Sequence, residues 1–251
     1  MDRQEAMLRE LNLYPQWTLR APVAQAAAAE PSVVVAPVEK PAATVQPQEL
    51  TLKDTALPIA ADVPFIAANT WPELKQQVRD CERCGLRAGC TQTVFGVGDE
   101  KADWLFVGEG PGADEDALGE PFVGQAGKLL DNMLAAIKLA RGKQVYIANI
   151  VKCRPPNNRN PTAGEIAQCL PYLARQIELI QPKLIVALGK VAATSLLGED
   201  VPLASLRGTL HDYRGIPLVV TYHPAYLLRS PSEKAKAWQD LCFALNVMGE
   251  A

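Results

Sequence analysis

An α/β fold, a parallel sheet covered on both faces by helices, is predicted by three observations. Four short apolar runs read as buried strands, at residues 104–107, 145–150, 184–188 and 218–221. Helical patterns lie between them, and strands alternating with helices imply parallel pairing. A glycine-rich loop, Gly108-Glu109-Gly110-Pro111-Gly112, follows the first run directly. That places it at the sheet edge where open α/β folds bind ligands.

Taken in chain order, residues 1–20 carry Met7, Leu8 and Leu11 on one side of a short helix, then Trp17. This is the pattern of a tail that docks on a protein partner. Residues 21–68 hold 14 Ala and 7 Pro and no Gly, a semi-extended linker that cannot build a core. The folded domain is expected over 69–251. Thr70-Trp71-Pro72-Glu73 is a capping box that opens a helix to about residue 80. After the first strand, Leu129, Leu130, Met133, Leu134 and Ile137 fall at helical spacing within 126–139. Thr162 and Glu165 form a second capping box, for a helix to about residue 180. Helices at 189–197 and 232–247 bracket the last strand.

Composition narrows the class. The chain has 251 residues, 48% of them apolar, and a net charge of −3. Residues 1–68 hold 5 Lys/Arg against 8 Asp/Glu, so the remaining 20 of each leave the folded part neutral. Any nucleic-acid contact must then come from a local patch. The start, Met1-Asp2-Arg3-Gln4-Glu5, lacks the apolar core of a signal peptide, and no run is long enough to span a membrane. The expectation is a cytoplasmic monomer.

In that compartment the six cysteines read as metal ligands or core thiols. Cys81-x-x-Cys84 precedes the first strand; Cys153 follows the second, and Cys169 lies in the next helix. Cys153 enters the irregular polar stretch Arg154-Pro155-Pro156-Asn157-Asn158-Arg159, a poor place for a core thiol. Two such pairs can complete four thiolates around zinc or an iron–sulfur cluster, and the chemistry alone does not separate these. Cys242 sits on an apolar helix face; Cys90 is left undecided.

Two further strand ends carry chemistry. Asn149 ends the second strand, and His223 follows the fourth beside Pro224. With Glu109 they bring a carboxylate, an amide and an imidazole to one crevice. Such a set can position water, read a planar hydrogen-bonding edge and steady a developing anion.

Gly108–Asp116, Gly119-Glu120-Pro121-Phe122-Val123-Gly124-Gln125-Ala126-Gly127, Asn149–Pro156 and His223-Pro224-Ala225-Tyr226-Leu227-Leu228 together resemble the family 4 uracil-DNA glycosylases. The match runs through nearly all of 78–247. The resemblance implies a three-layer α/β/α sandwich with a central four-stranded parallel sheet. It implies a [4Fe–4S] cluster, rather than zinc, on Cys81, Cys84, Cys153 and Cys169. The implied reaction is hydrolysis of the deoxyuridine N-glycosidic bond in DNA after base flipping. Gly108 and Gly110 would wall the pocket, Phe122 would stack on uracil, Asn149 would read its edge, and His223 would bond O2. Glu109 or Glu115 would orient water. Leu227-Leu228-Arg229 would enter the base stack, and Lys152, Arg154, Arg159, Lys190, Arg207 and Arg229 would supply a phosphate-binding patch. Cys90 stands where the family carries Arg. Arg207-Gly208-Thr209-Leu210-His211 lacks the basic run of a covalently trapping subgroup. The competing readings are a non-catalytic iron–sulfur DNA-binding module tethered to replication machinery and a zinc hydrolase with a small substrate.

Overall fold

The computed structural model describes residues 70–249; the tail and linker expected over 1–20 and 21–68 lie outside the described residues. Helix α1 (Trp71–Arg79) starts on the Thr70 capping box, whose hydroxyl accepts from the Glu73 N–H. A short α2 (Leu86–Gly89) and β1 (Val97–Gly98) lead into β2 (Trp104–Gly108). Then come α3 (Ala113–Leu118), α4 (Gln125–Ala136) and β3 (Val145–Asn149). The second capping box opens α5 (Ala163–Ile180), followed by β4 (Leu184–Leu188), α6 (Lys190–Leu197) and α7 (Leu203–Leu206). The chain closes with β5 (His211–Tyr213), β6 (Ile216–Thr221), α8 (Pro224–Arg229) and α9 (Lys234–Met248).

The sheet has six strands in the order β1-β3-β2-β4-β6-β5, not the four expected. Its centre, β3-β2-β4-β6, is parallel throughout, and these are the four apolar runs of the sequence. The additions are antiparallel edges: β1 on β3 and β5 on β6. Two or three residues are too few to show a period of two. The β5–β6 hairpin turns on Arg214 (φ 52°) and Gly215 (φ 85°). Both are left-handed, as a two-residue turn matching strand twist requires.

Alternate residues of the central strands feed two cores, one on each face of the sheet. Leu105, Val107, Tyr146, Ala148, Ile185 and Val220 pack towards α1, α5 and α6. Trp104, Phe106, Ile147, Val186 and Val219 pack towards α4 and α9. Burial on both faces explains why the strands read as continuous apolar runs. Among the described residues, no helix is long and apolar enough to cross a membrane.

The strand order places the functional edge. β2 lies centrally, with β3 on one side and β4 on the other. Connections diverge there, and a crevice opens at the carboxyl ends of the strands. Because Leu105 is fully buried in the central strand, Leu105→Ala is expected to cost about 2–5 kcal/mol. Leu118→Ala, at a side chain 67% exposed, should cost under about 0.5 kcal/mol. Urea unfolding of the two variants checks the contrast.

Candidate functional site

A cleft of about 380 Å³ opens at that edge and is lined by Glu109, Gly110, Phe122, Asn149 and His223, among others. Its size suits a single small planar ligand group. The three strand-end residues anticipated from the sequence therefore do share one wall.

The floor is set by the pairing of Gly108 with Asn149 across β2 and β3. A Cβ on Gly108 would stand 2.5 Å from Asn149 Oδ1 and 2.6 Å from the Phe122 ring. Only glycine lets those groups meet over the backbone. Asn149 is 2% exposed, and its Oδ1 is buried without a hydrogen-bond partner. An unpaired buried acceptor costs roughly 1–3 kcal/mol, which a ligand N–H would recover.

Phe122 also lines the cleft, in a left-handed conformation, φ 55°, a strain of order 1–3 kcal/mol for a non-glycine residue. Two contacts hold it there. Arg141 donates to the carbonyls of Pro121 and Phe122, both at 2.7 Å, and pairs with Asp131 at 3.1 Å. Hydrogen bonds from a charged donor are worth roughly 1.5–3 kcal/mol each, enough to offset the strain. Gly127 lets α4 start against the Phe122 carbonyl, where a Cβ would overlap it. Arg141 was not legible as a site residue: its signal is the geometry of the two carbonyls it binds.

The two acids separate in role. Burial pushes the Glu109 carboxyl above its ordinary range, and it lines the cleft. The Glu115 carboxylate instead accepts from the backbone N–H groups of Gly112 (3.0 Å), Val123 (2.9 Å) and Gly124 (3.1 Å). It joins the glycine loop to the Phe122 loop.

His223 caps α8: its Nδ1 accepts the Ala225 N–H at 3.2 Å. That assigns the proton to Nε2, leaving a donor available to the cleft. Its ring lies 5.4 Å from that of Phe122. Burial, aided by the Arg229 charge, lowers its pKa from 6.5 to about 4, so it is a neutral donor at pH 7.

The tip of α8 divides its side chains. Leu227 is 1% exposed and buried in the fold, whereas Tyr226 and Leu228 face solvent. Of the six basic residues expected in a phosphate patch, Lys152 is buried and Arg207 is sequestered by Asp240 at 2.8 Å. Arg159 pairs with Glu165 and Lys190 with Asp200. Arg229 lines the cleft, and Arg154 donates to Asn158 at 2.7 Å.

On the α5 side, Cys81, Cys84, Cys153 and Cys169 line a second, smaller cavity. All four are free thiols. Burial pushes Cys153 and Cys169 up, Cys169 to about 11, and neighbouring cysteines of the group add to both shifts. Among the described residues, no three His, Cys, Asp or Glu side chains gather as one metal ion requires. Cys90 adjoins Cys153, with its thiol donating to the Arg87 carbonyl at 3.5 Å. Cys242 is half-buried.

Residues 95–242 match the profile described as the Uracil DNA glycosylase superfamily. The chain is 44% identical over 167 residues to a Type-4 uracil-DNA glycosylase of Archaeoglobus fulgidus, covering 63% of this chain and 83% of that protein. It is 44% identical over 165 residues to a Type-4 uracil-DNA glycosylase of Thermotoga maritima, covering 65% and 85%. A Type-5 uracil-DNA glycosylase of Thermus thermophilus is 30% identical over 153 residues, covering 52% and 68%.

The His223 shift has a consequence for stability. Its folded pKa lies below the ordinary 6.5, so the unfolded chain takes up the proton first. The stability tied to its neutral form is complete above about pH 6.5 and is lost as pH falls towards about 4. Between pH 7 and pH 4.5, the wild type should lose about 1–3 kcal/mol more than His223→Gln. Urea unfolding of both at the two pH values measures the difference.

Proposed function

The chain belongs to the uracil-DNA glycosylase superfamily, and from that premise we propose that it is a DNA-repair hydrolase that removes uracil from DNA and leaves an abasic site. One observation carries the reading of the cleft: Asn149 lines it, and its Oδ1 is buried without a hydrogen-bond partner. Uracil N3–H would complete it, and the same amide could donate to O4. Cytosine presents the opposite polarity and would leave the acceptor unpaired. A base inside a duplex cannot reach this depth, so it must be flipped out. Phe122 would then lie against its face, with base–aromatic stacking worth roughly 1–3 kcal/mol.

Breaking the C1′–N1 bond leaves its electron pair on uracil and positive charge on the sugar. His223, neutral with its proton on Nε2, would donate to O2, where negative charge collects. Glu109 is the acid left free for the sugar side, since three N–H groups occupy Glu115. As a carboxylate it would accept a hydrogen bond from the attacking water and offset the charge on the sugar. Gly110 lines the cleft, and Gly108 beneath it leaves Asn149 and Phe122 room to meet the base. Arg229 and Arg154 would meet phosphates, and the exposed Tyr226 and Leu228 flank the gap beside Arg229, with Leu227 supporting them from beneath.

Cys81, Cys84, Cys153 and Cys169, four free thiols round one cavity, are the residues that would hold a [4Fe–4S] cluster. Such a cluster would supply thiolate–iron bonds that brace the loops, and no step of the hydrolysis needs electron transfer. The same reading takes the chain as a cytoplasmic monomer whose residues 1–20 engage a protein partner.

Single-turnover release of uracil from labelled DNA tests the function: the wild type should release it, and no release would overturn the reading. His223→Ala should lower the rate about 10²–10³-fold, as for loss of one donor to a developing anion. Because burial raises the Glu109 pKa, its carboxylate form is lost as pH falls from above the ordinary carboxylate range. The acid limb of the rate profile should lie above pH 4.5 and be abolished, at a low residual rate, in Glu109→Gln. Purified protein should hold iron and acid-labile sulfide in equal amounts.

A further inference from the structure

Lys152 is fully buried at 1% exposure and lines the cysteine cavity. Its Nζ donates to the Asn149 carbonyl at 2.9 Å and to Gln176 Oε1 at 2.6 Å. Its own backbone N–H donates to Cys169 Sγ at 3.2 Å. Gln176 is anchored in turn: its Nε2 donates to the Phe95 carbonyl at 3.0 Å. Among the described residues, no carboxylate pairs with this ammonium. An ion removed from water without a counter-charge is strongly unfavourable. The group beside it is the Cys169 thiol, which accepts the Lys152 backbone N–H.

The bond to Asn149 acts at a sensitive point. Asn149 is the last residue of β3, and the peptide that follows it is held on both sides. Lys152 binds its oxygen, while the Ile150 N–H donates to the Gly108 carbonyl at 2.9 Å. Fixing that peptide plane fixes the direction in which the Asn149 side chain leaves the strand. Nothing in the hydrolysis as derived uses Lys152, and its burial removes it from any phosphate.

We propose that Lys152 is a positioning residue, whose buried Nζ holds the Asn149 carbonyl while its backbone N–H binds Cys169, so that the base-reading amide is kept in register. The proposal rests on the reading of Asn149 as the residue that meets uracil. It predicts that damage to Lys152 is felt in recognition of the base rather than of the DNA backbone.

The test compares wild type, Lys152→Met and Asn149→Ala, each assayed for iron and sulfide content. Two DNA ligands are used: one with a cleavage-resistant 2′-fluorinated deoxyuridine, one with an abasic analogue that offers no base. Lys152→Met should retain iron and bind the fluorinated ligand about 10–100-fold more weakly, the usual cost of losing a residue that orients a site group. Its affinity for the abasic ligand should be unchanged. Equal weakening on both ligands, or none on either, overturns the proposal. Should Lys152→Met fail to retain iron, Gln176→Leu decides in its place, because it removes a partner of the ammonium and touches no cysteine. A loss of about fivefold confined to the fluorinated ligand, the worth of one hydrogen bond, supports the tether; no such loss overturns it. If Asn149→Ala leaves the preference for the fluorinated ligand intact, the reading of the base by Asn149 fails and the proposal with it. If Asn149→Ala abolishes the preference and Lys152→Met does not, the tether alone fails.

Discussion

The close meeting of Gly108, Asn149 and Phe122 is the constraint on which the cleft depends. Parallel pairing brings Gly108 opposite Asn149 at the carboxyl edge, and the missing Cβ lets the amide and the aromatic ring approach over bare backbone. Neither partner is relaxed. Asn149 holds an unpaired acceptor, and Phe122 holds a left-handed backbone. Each carries a penalty of order 1–3 kcal/mol. Such penalties persist only where surrounding structure over-determines them, and here the clamps are identifiable. Arg141 and Gly127 act on Phe122, and Lys152 with the Gly108 carbonyl acts on Asn149.

Electrostatics then assigns roles that residue identity leaves open. Glu109 and Glu115 lie six residues apart on one loop–helix unit, yet Glu115 is enclosed by three N–H donors while Glu109 is simply desolvated. The first arrangement holds a carboxylate in place; the second makes it more basic. His223 is shifted the other way, towards neutrality. A neutral imidazole donates one hydrogen bond without placing a full positive charge beside the cationic sugar. With uracil bound as proposed, the cleft would keep negative charge on the sugar side and a neutral donor on the base side, matching the direction in which the bond polarises.

Much of this was legible in the sequence where the signal was local. Both capping boxes form, at Thr70 and Thr162. The four central strands lie where the apolar runs lie, because burial on both faces leaves a continuous signature. Glu109, Asn149 and His223 were legible for the same reason: each follows such a run. The antiparallel edges were missed because β1 and β5 have two and three residues, although the Arg214-Gly215 turn was a usable hairpin signal. Lys152 and Arg207 were expected to meet phosphate; Lys152 is buried and Arg207 is paired with Asp240 instead. Their partners, Gln176 and Asp240, lie 24 and 33 residues away, a distance at which a single sequence gives no pairing. Gln176 itself carried a faint mark, a polar residue between Leu173 and Ile180 on the buried face of α5.

The path of the chain after β3 gives a physical reason for pairing a hydrolytic cleft with a thiol centre. Three residues separate Asn149 from Cys153, and the segment beyond runs to Thr162 with only a short 3₁₀ turn at Pro156–Asn158. Asn157 and Asn158 are both left-handed there. Ordering each such residue costs roughly 1–2 kcal/mol in backbone entropy, and a polar loop has no core of its own to offset it. A group bound by Cys81, Cys84, Cys153 and Cys169 would close this loop against α5 and the segment after α1. Closing a loop in that way stabilises by restricting the unfolded chain. The same brace would act on Asn149, because the residue between Val151 and Cys153 is Lys152. A brace at the cysteines would thus reach the Asn149 amide through three residues of backbone and the buried Lys152 side chain.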